Sequence, residues 1–288
     1  MNWLRIGKGA VTTLFVIAAI VTVIGLWRFY EVYPRTPDGK VRADVVLITP
    51  DVSGLVTKVF VADNQHVKAG QVLFEIDRQR FALEVERAKA ALAAKRAALQ
   101  QAARVSHRNA GLSGLVAREE VEQGNAKVDA LTAEVHEAEA QLSTAMLNLD
   151  RASVRASVDG KISNFSLLPG AYASAGKPVF ALIALNSIHV DGYFEETKIS
   201  RIHVGDPVRV RLMGESGEIK GHVVSIAGGI EDRDRVTGGN LLADVNPTFS
   251  WIRLAQRIPV RVALENPPRD MALVLGRTAA VDVLPRDR

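Results

Sequence analysis

The sequence predicts an α+β chain: a membrane-length helix, a small β-domain split in two by a long antiparallel helical hairpin, and a C-terminal small antiparallel β-barrel. Three observations predict it. Residues 9–27 form an apolar run without a charge. A pattern of glycines and apolar residues between 52 and 76 recurs between 158 and 182 at a constant offset of 106. Between the two copies, from Val121 to Ala152, apolar and small residues alternate at three- and four-residue spacing, the period of a coiled-coil seam.

Composition suits a folded chain of more than one domain: 288 residues, 48% hydrophobic, with a formal charge of only +4. Basic and acidic residues interleave outside the hairpin, so no basic face with stacking aromatics offers itself to nucleic acid. There is no cysteine, which excludes disulfides, thiolate nucleophiles, Cys-ligated metals and a lipid-modified N-terminal cysteine.

The first 8 residues read as a cytoplasmic tail, because Arg5 and Lys8 precede the apolar run. The run of 19 residues, 9–27, spans roughly 28 Å as a helix, enough for a bilayer. Ile24-Gly25-Leu26-Trp27-Arg28 lacks the small-residue pattern of a cleaved signal peptide, so the run reads as an uncleaved anchor. Trp27, Phe29, Tyr30 and Tyr33 fit an interfacial aromatic belt. Residues 28–42, with Pro34, Pro37 and Asp38-Gly39, read as a linker.

Residues 43–77 and 153–189 read as two β-halves. Val52, Gly54, Val56, Val61, Gly70, Leu73, Phe74 and Ile76 fall opposite Val158, Gly160, Ile162, Leu167, Gly176, Val179, Phe180 and Leu182 without a gap. Neither half is long enough to hold a core alone, so the two bury one face against each other. Such a duplication resembles the lipoyl/biotinyl-carrier fold. Residues 78–152 between them are the coiled-coil hairpin. Its second arm has the seam Val121, Gly124, Val128, Leu131, Val135, Ala138, Leu142, Ala145, Leu149 and Ala152; the first has Phe81, Val85, Ala88, Leu92, Leu99 and Ala102. The first arm is mostly basic and the second mostly acidic, which favours their pairing. Asn109-Ala110-Gly111-Leu112-Ser113-Gly114 marks the turn. Residues 190–285 alternate apolar and charged side chains in short runs such as Val208-Arg209-Val210-Arg211-Leu212, as strands of a small barrel do, with an exposed loop over 228–239.

The sequence carries no motif for catalysis or metal binding. The six histidines have no metal-ligand spacing. Gly170 to Pro178 imitates a phosphate loop, but five residues separate the glycines and Pro178 stands where a magnesium-binding hydroxyl belongs. Glu195-Glu196 would point to opposite sides of a strand. A biotin or lipoyl carrier would need its modified lysine, typically beside methionine, between the β-halves; the coiled coil occupies that place, and no Met-Lys pair occurs. The chain reads as a non-enzyme without cofactor or metal.

Anchor, split β-halves, inserted coiled coil and barrel, in this order, resemble a periplasmic adaptor, or membrane fusion protein, of the HlyD/EmrA family. Pro50-Asp51-Val52-Ser53-Gly54-Leu55, Asp63-Asn64-Gln65, Arg118-Glu119-Glu120, Glu195-Glu196-Thr197-Lys198 and, most specifically, Trp251-Ile252-Arg253-Leu254-Ala255-Gln256-Arg257-Ile258-Pro259-Val260-Arg261 are similar to the AaeA-type subunit of aromatic carboxylic acid efflux. The resemblance implies a single-pass protein of the inner membrane of a Gram-negative bacterium, its bulk periplasmic. It implies a separate inner-membrane transporter of the aromatic acid exporter type, an outer-membrane channel of the TolC type, and self-association into a ring, commonly hexameric. An EmrA-like multidrug adaptor working with a major-facilitator transporter is the near alternative, and a structural envelope protein the distant one. Related adaptors dock through an Arg, a Leu four residues on and a Ser at the hairpin tip. Arg108 and Leu112 match the first two, Ala117 stands where the AaeA pattern has Ser, and Ser113 is the remaining hydroxyl, with the second helix expected to begin there.

Overall fold

The computed structural model describes residues 3–27, 33–112, 117–230, 235–237, 243–245, 255–268 and 271–284. Two compact units emerge, Val45–Asn186 and Met1–Asp44 together with Ser187–Arg288.

Helix α1 (Trp3–Trp27) opens the chain. Its side chains are described over residues 13–25, where Leu14, Phe15 and Val21 are each more than half exposed. Among the described residues no helix is long and apolar enough to cross a membrane.

The first β-half supplies β2 (Val45–Ile48), β3 (Gly54–Val59), β4 (His66–Val67) and β5 (Val72–Ile76); the second supplies β6 (Ser153–Arg155), β7 (Gly160–Ser163), β8 (Tyr172–Ala173) and β9 (Phe180–Ala184). They form two four-stranded sheets, ordered β2-β9-β7-β4 and β6-β5-β3-β8. The repeat is therefore closed by exchange. Each sheet has a central pair from one half and edge strands from the other, where the sequence suggested two halves merely stacked. The exchange gives every strand of one half a hydrogen-bonded neighbour, which two or three residues of edge strand cannot provide alone. The repeat also governs the turns. Asn64 and Gly170 have φ of 62° and 91°, and Gly70 and Gly176 have 81° and 76°, so both left-handed positions recur at the offset. Phe74 and its repeat equivalent Phe180 meet edge-on at 6.0 Å in the core, among the fully buried Leu73, Ile76, Ile162 and Leu182.

The barrel corrects the linker expected over 28–42. Strand β1 (Arg35–Arg42) belongs to a closed six-stranded barrel with β10 (His189–Glu195), β11 (Pro207–Leu212), β12 (Glu218–Ile226), β15 (Arg257–Glu265) and β16 (Thr278–Val283), in the order β1-β10-β15-β12-β11-β16. Pro37 lacks an N–H and Asp38-Gly39 has turn composition, which disguise the strand; the register of β1 against β16 shifts between Thr36 and Gly39, so the proline sits in a bulge. The barrel core is Val41, Val190, Phe194, Val208, Val210, Ile219, Val223, Val260, Val262 and Val281. The barrel also starts slightly earlier than residue 190, at His189 of β10. Glu195 ends β10 and Glu196 opens the single-turn helix α4 (Glu196–Ile199), so the two are not neighbours on one strand. Within the expected loop 228–239, Arg235–Thr237 (β13) pairs antiparallel with Ala243–Val245 (β14); residues 231–234 and 238–242 lie outside the described residues.

Candidate functional site

The hairpin is α2 (Arg78–Gly111) and α3 (Arg118–Arg151), 34 residues each. At 1.5 Å per residue each arm is roughly 50 Å long. Its foot is fastened to the sandwich. Asp77 caps α2 by accepting from the Arg80 N–H, and its own N–H donates to Leu55 O at 2.9 Å. Phe81, 3% exposed, is part of the sandwich core, with Arg80 lying over its ring at 4.7 Å. At the other arm, Ala152 is fully buried and its carbonyl accepts from Ile76 N–H at 2.8 Å.

Above the foot the arms meet along a narrow seam. Leu92, Val135 and Ala138 are buried and Leu99 and Leu142 pack against them. The seam positions expected in α3 are each half-buried or buried, from Val121 to Leu149. Two ion pairs cross between the arms, Lys95 with Glu134 and Arg96 with Glu139, the latter at 2.7 Å. Hydrogen bonding to Glu134 raises the Lys95 ammonium above its ordinary value, and the hydrogen bond from Arg96, with a smaller one from His136, lowers the Glu139 carboxyl. All four side chains are solvent-exposed to a large degree, so their net contribution is small and screened by salt.

Nearer the tip lies a contact the sequence reading missed. Ser106, 8% exposed, donates from Oγ to Asn125 Oδ1 at 2.7 Å, beside Gly124. The signal was available, since Ser106 continues the seven-residue spacing of Leu92 and Leu99. Ser106 is the buried member and Asn125 the exposed one, so the pair favours register because a slipped pairing would leave the Ser106 hydroxyl in the seam without its partner.

The tip itself begins with Arg108 in the last turn of α2, exposed and placed where a cation complements the helix C-terminus. Leu112 is the C-cap, its N–H bonded to Asn109 O at 3.2 Å, and its side chain is 44% exposed. Arg108 and Leu112 thus stand one turn apart at the end of the same arm. Ser113 lies outside the described residues. The start of the second arm is corrected: α3 begins at Arg118, after an extended Ala117 (φ −62°, ψ 140°) that makes no side-chain cap. Glu119 and Glu120 in its first turn supply the compensation by facing the helix N-terminus with negative charge.

Elsewhere the described residues hold no group of metal-ligating side chains. The described part of the Trp251–Arg261 motif, from Ala255 onward, lines an open cleft of about 590 Å³ on the barrel with Asp38, Tyr193 and Ile230, in which Arg257 is paired with Asp38. Trp251 to Leu254 lie outside the described residues.

With this geometry, a long two-helix rod on a strand-exchanged sandwich, the comparisons with known proteins are consistent. Residues 44–185 match the family model described as the RND MFP barrel-sandwich hybrid domain, and residues 187–284 match the AAEA-like beta-barrel domain. The chain is 40% identical over 272 residues to the uncharacterized protein YdhJ of Escherichia coli (strain K12), covering 93% of this chain and 95% of that one. Among solved structures it is similar to the membrane fusion protein Spr0693 of Streptococcus pneumoniae R6, with a TM-score of 0.67 at 17% identity, covering 86% of this chain and 98% of that one. It is also similar to MacA of Actinobacillus actinomycetemcomitans, with a TM-score of 0.68 at 18% identity over 88% and 79% of the two chains. At these identities the solved structures speak for the fold, while the family models and the YdhJ relationship carry descent. The chain belongs to the membrane fusion protein family, the periplasmic adaptors of efflux pumps, and is a non-enzymatic adaptor with an AAEA-like barrel.

Proposed function

We propose that this adaptor serves the export of aromatic carboxylic acids, joining an inner-membrane transporter of the aromatic acid exporter type to a TolC-type outer-membrane channel. The observation that carries the substrate class is the AAEA-like barrel over residues 187–284. It is supported by the Trp251–Arg261 motif that resembles the AaeA group. In this reading α1 is a single-pass anchor in the inner membrane, N-terminus cytoplasmic: its uncharged run 9–27 has the length of a bilayer, and its apolar side chains are exposed where described. Arg108, Leu112 and Ser113 are the channel-docking end of the hairpin. The adaptor contributes geometry, and a ring of copies, six in this reading, would hold through many weak tips a channel that one tip could not.

Two measurements test this. Leu112→Asp places a charge on the exposed apolar tip, and it should abolish export while leaving protein level and membrane insertion unchanged; normal export by that variant would remove Leu112 from docking. Affinity purification of the full chain from detergent-solubilised membranes should bring down an aromatic acid exporter. Recovery of a major-facilitator transporter instead would replace the substrate class with a multidrug one.

A further inference from the structure

The barrel has two ends, and the path of the chain distinguishes them. Strand β1 is entered from the side of α1 at Arg35 and left at Arg42, toward β2. Residues 28–32 are all that separate Trp27, the end of α1, from Tyr33, a reach of roughly 20 Å even when fully extended. The adaptor reading, on which this inference rests, makes α1 the anchor, so the Arg35 end of the barrel is held within that distance of the bilayer surface. Antiparallel pairing brings the end of β16 and the start of β11 to the same place: Val283 N–H donates to Pro34 O at 3.0 Å and Leu284 N–H to Pro207 O at 2.8 Å.

That end carries an open cleft of about 280 Å³, lined by Tyr33, Pro34 and Leu284 and by Arg35, Arg209 and Asp282. Its carboxylate is already committed, since Asp282 pairs with Arg35 at 2.8 Å and with Arg211 at 3.2 Å. Arg209 comes no nearer than 3.8 Å to Glu218, which Arg211 also approaches at 3.9 Å. A separation of 3.8 Å is not a hydrogen bond, so the Arg209 fork keeps donors for another acceptor. Three guanidinium groups face two carboxylates, and the excess charge lies beside a tyrosine and two aliphatic side chains. Just before β11, in the turn that leads into Pro207, Val204 is 61% exposed.

We propose that this cleft binds the phosphate of an anionic phospholipid in the leaflet from which α1 emerges, so that the barrel is fixed to the bilayer by its rim as well as by its anchor. A guanidinium fork matches two phosphate oxygens, and a tyrosine with aliphatic neighbours suits the boundary between headgroup and acyl chain. A headgroup bearing an ammonium would bring a further cation to a positive site. The chemistry therefore favours phosphatidylglycerol over phosphatidylcholine.

The absence of cysteine makes the test direct. Val204→Cys and, at the opposite end of β11, the exposed Met213→Cys each carry a polarity-sensitive fluorophore in the full chain. The chain is placed in lipid nanodiscs of phosphatidylcholine alone or mixed with phosphatidylglycerol. Emission from position 204 should shift to the blue in the mixed discs only, and emission from position 213 should stay that of water in both. Arg209→Glu should raise the phosphatidylglycerol content needed for the shift roughly tenfold, and Arg209→Lys should keep most of the response. An equal shift at 204 in phosphatidylcholine alone, an equal shift at 213, or indifference to Arg209→Glu would each overturn the proposal. Inorganic phosphate that reproduces the shift in phosphatidylcholine discs would make this a site for the free anion, and overturn it as well. A chain that enters neither disc would remove the anchor and this site together, whereas one that enters both without a phosphatidylglycerol response removes the site alone.

Discussion

A Cβ built on Gly124 would stand 3.7 Å from the Cα and Cβ of Ser106, an ordinary contact, whereas one built on Gly160 would come within 2.5 Å of Ile183 O. The two glycines occupy different physical situations. Gly124 is helical, has φ in the normal range and lines a seam with room to spare, so it costs helix propensity without a steric need. Gly124→Ala should stabilise the upper hairpin by about 0.5–1 kcal/mol, read as slower amide hydrogen exchange on both sides of Ser106 and Asn125. Gly160→Ala forces the paired β7 and β9 apart at Gly160↔Ala184 and should lower the melting temperature of the sandwich sharply, by an amount in the overpacking range of about 1–3 kcal/mol or more. The Ser106–Asn125 bond adds specificity rather than strength: Ser106→Ala should cost about 1 kcal/mol, and a double-mutant cycle with Asn125→Ala should show the two losses to be strongly non-additive. Additive losses would mean that the hydrogen bond does not set the register.

On the scale of single elements, the hairpin's cross-arm ion pairs give it a defined response to pH. Glu139 has a lowered value in the folded hairpin, first through Arg96, so its contribution is present above the ordinary carboxylate value and is lost as pH falls through the lowered one. Lys95 is raised by Glu134, so its contribution is full below the ordinary lysine value and fades only as pH rises through the raised one. Both groups are largely solvent-exposed, hence the effect is slight at neutral pH and should vanish in high salt. Arg96→Ala should move the Glu139 titration midpoint upward toward an ordinary carboxylate in a carbonyl-detected NMR titration, leaving Lys95 unmoved. These arms were legible because a seam at three- and four-residue spacing writes burial directly into the sequence, and Val121, Gly124 and Val128 are each less exposed than their neighbours. The β elements were legible only in part. A repeat at an offset of 106 is equally compatible with two stacked halves and with halves that trade edge strands, because the same apolar positions are buried either way; only the pairing of β2 with β9 and of β8 with β3 distinguishes them. Strand β1 was hidden by Pro37 and Asp38-Gly39, residues chosen for a bulge that also spell a turn. The tip was half legible: Arg108 and Leu112 stand together at the end of α2, while a second arm beginning at Ser113 proved to begin at Arg118, because Ala117 is extended and the compensation for a missing cap comes from Glu119 and Glu120.

For the whole molecule, the repeat makes the connections to the hairpin and to the barrel equivalent along the sequence. The chain leaves for the hairpin after β5 and returns at β6; at the repeat-related positions, before β2 and after β9, it connects to the barrel strands β1 and β10. The hairpin is thus an insertion into a turn, and the strands it separates are already neighbours. β5 and β6 pair antiparallel at Val72↔Arg155, Phe74↔Val154 and Glu75↔Ser153, and Ile76 donates to Ala152 O across the point of exit. Replacing residues 78–151 by Asn-Gly would join Asp77 to Ala152 with a two-residue turn of the kind that closes such strands. What is forfeited is the foot: Phe81 is buried in the sandwich core, with Leu149 packed against it, and losing the ring should cost about 3–5 kcal/mol of sandwich stability. The excised protein should nonetheless fold, with circular dichroism that loses the helical bands and keeps the β signal, while export is abolished and the protein is still delivered to the membrane. Restoring only the first turn of α2 and the last of α3, with Phe81 and Leu149, should return the lost stability but not export. Failure of both shortened proteins to fold would show that the sandwich needs the rod beyond its foot, and export by either would show that a tip some 50 Å away is not where the work of this adaptor is done.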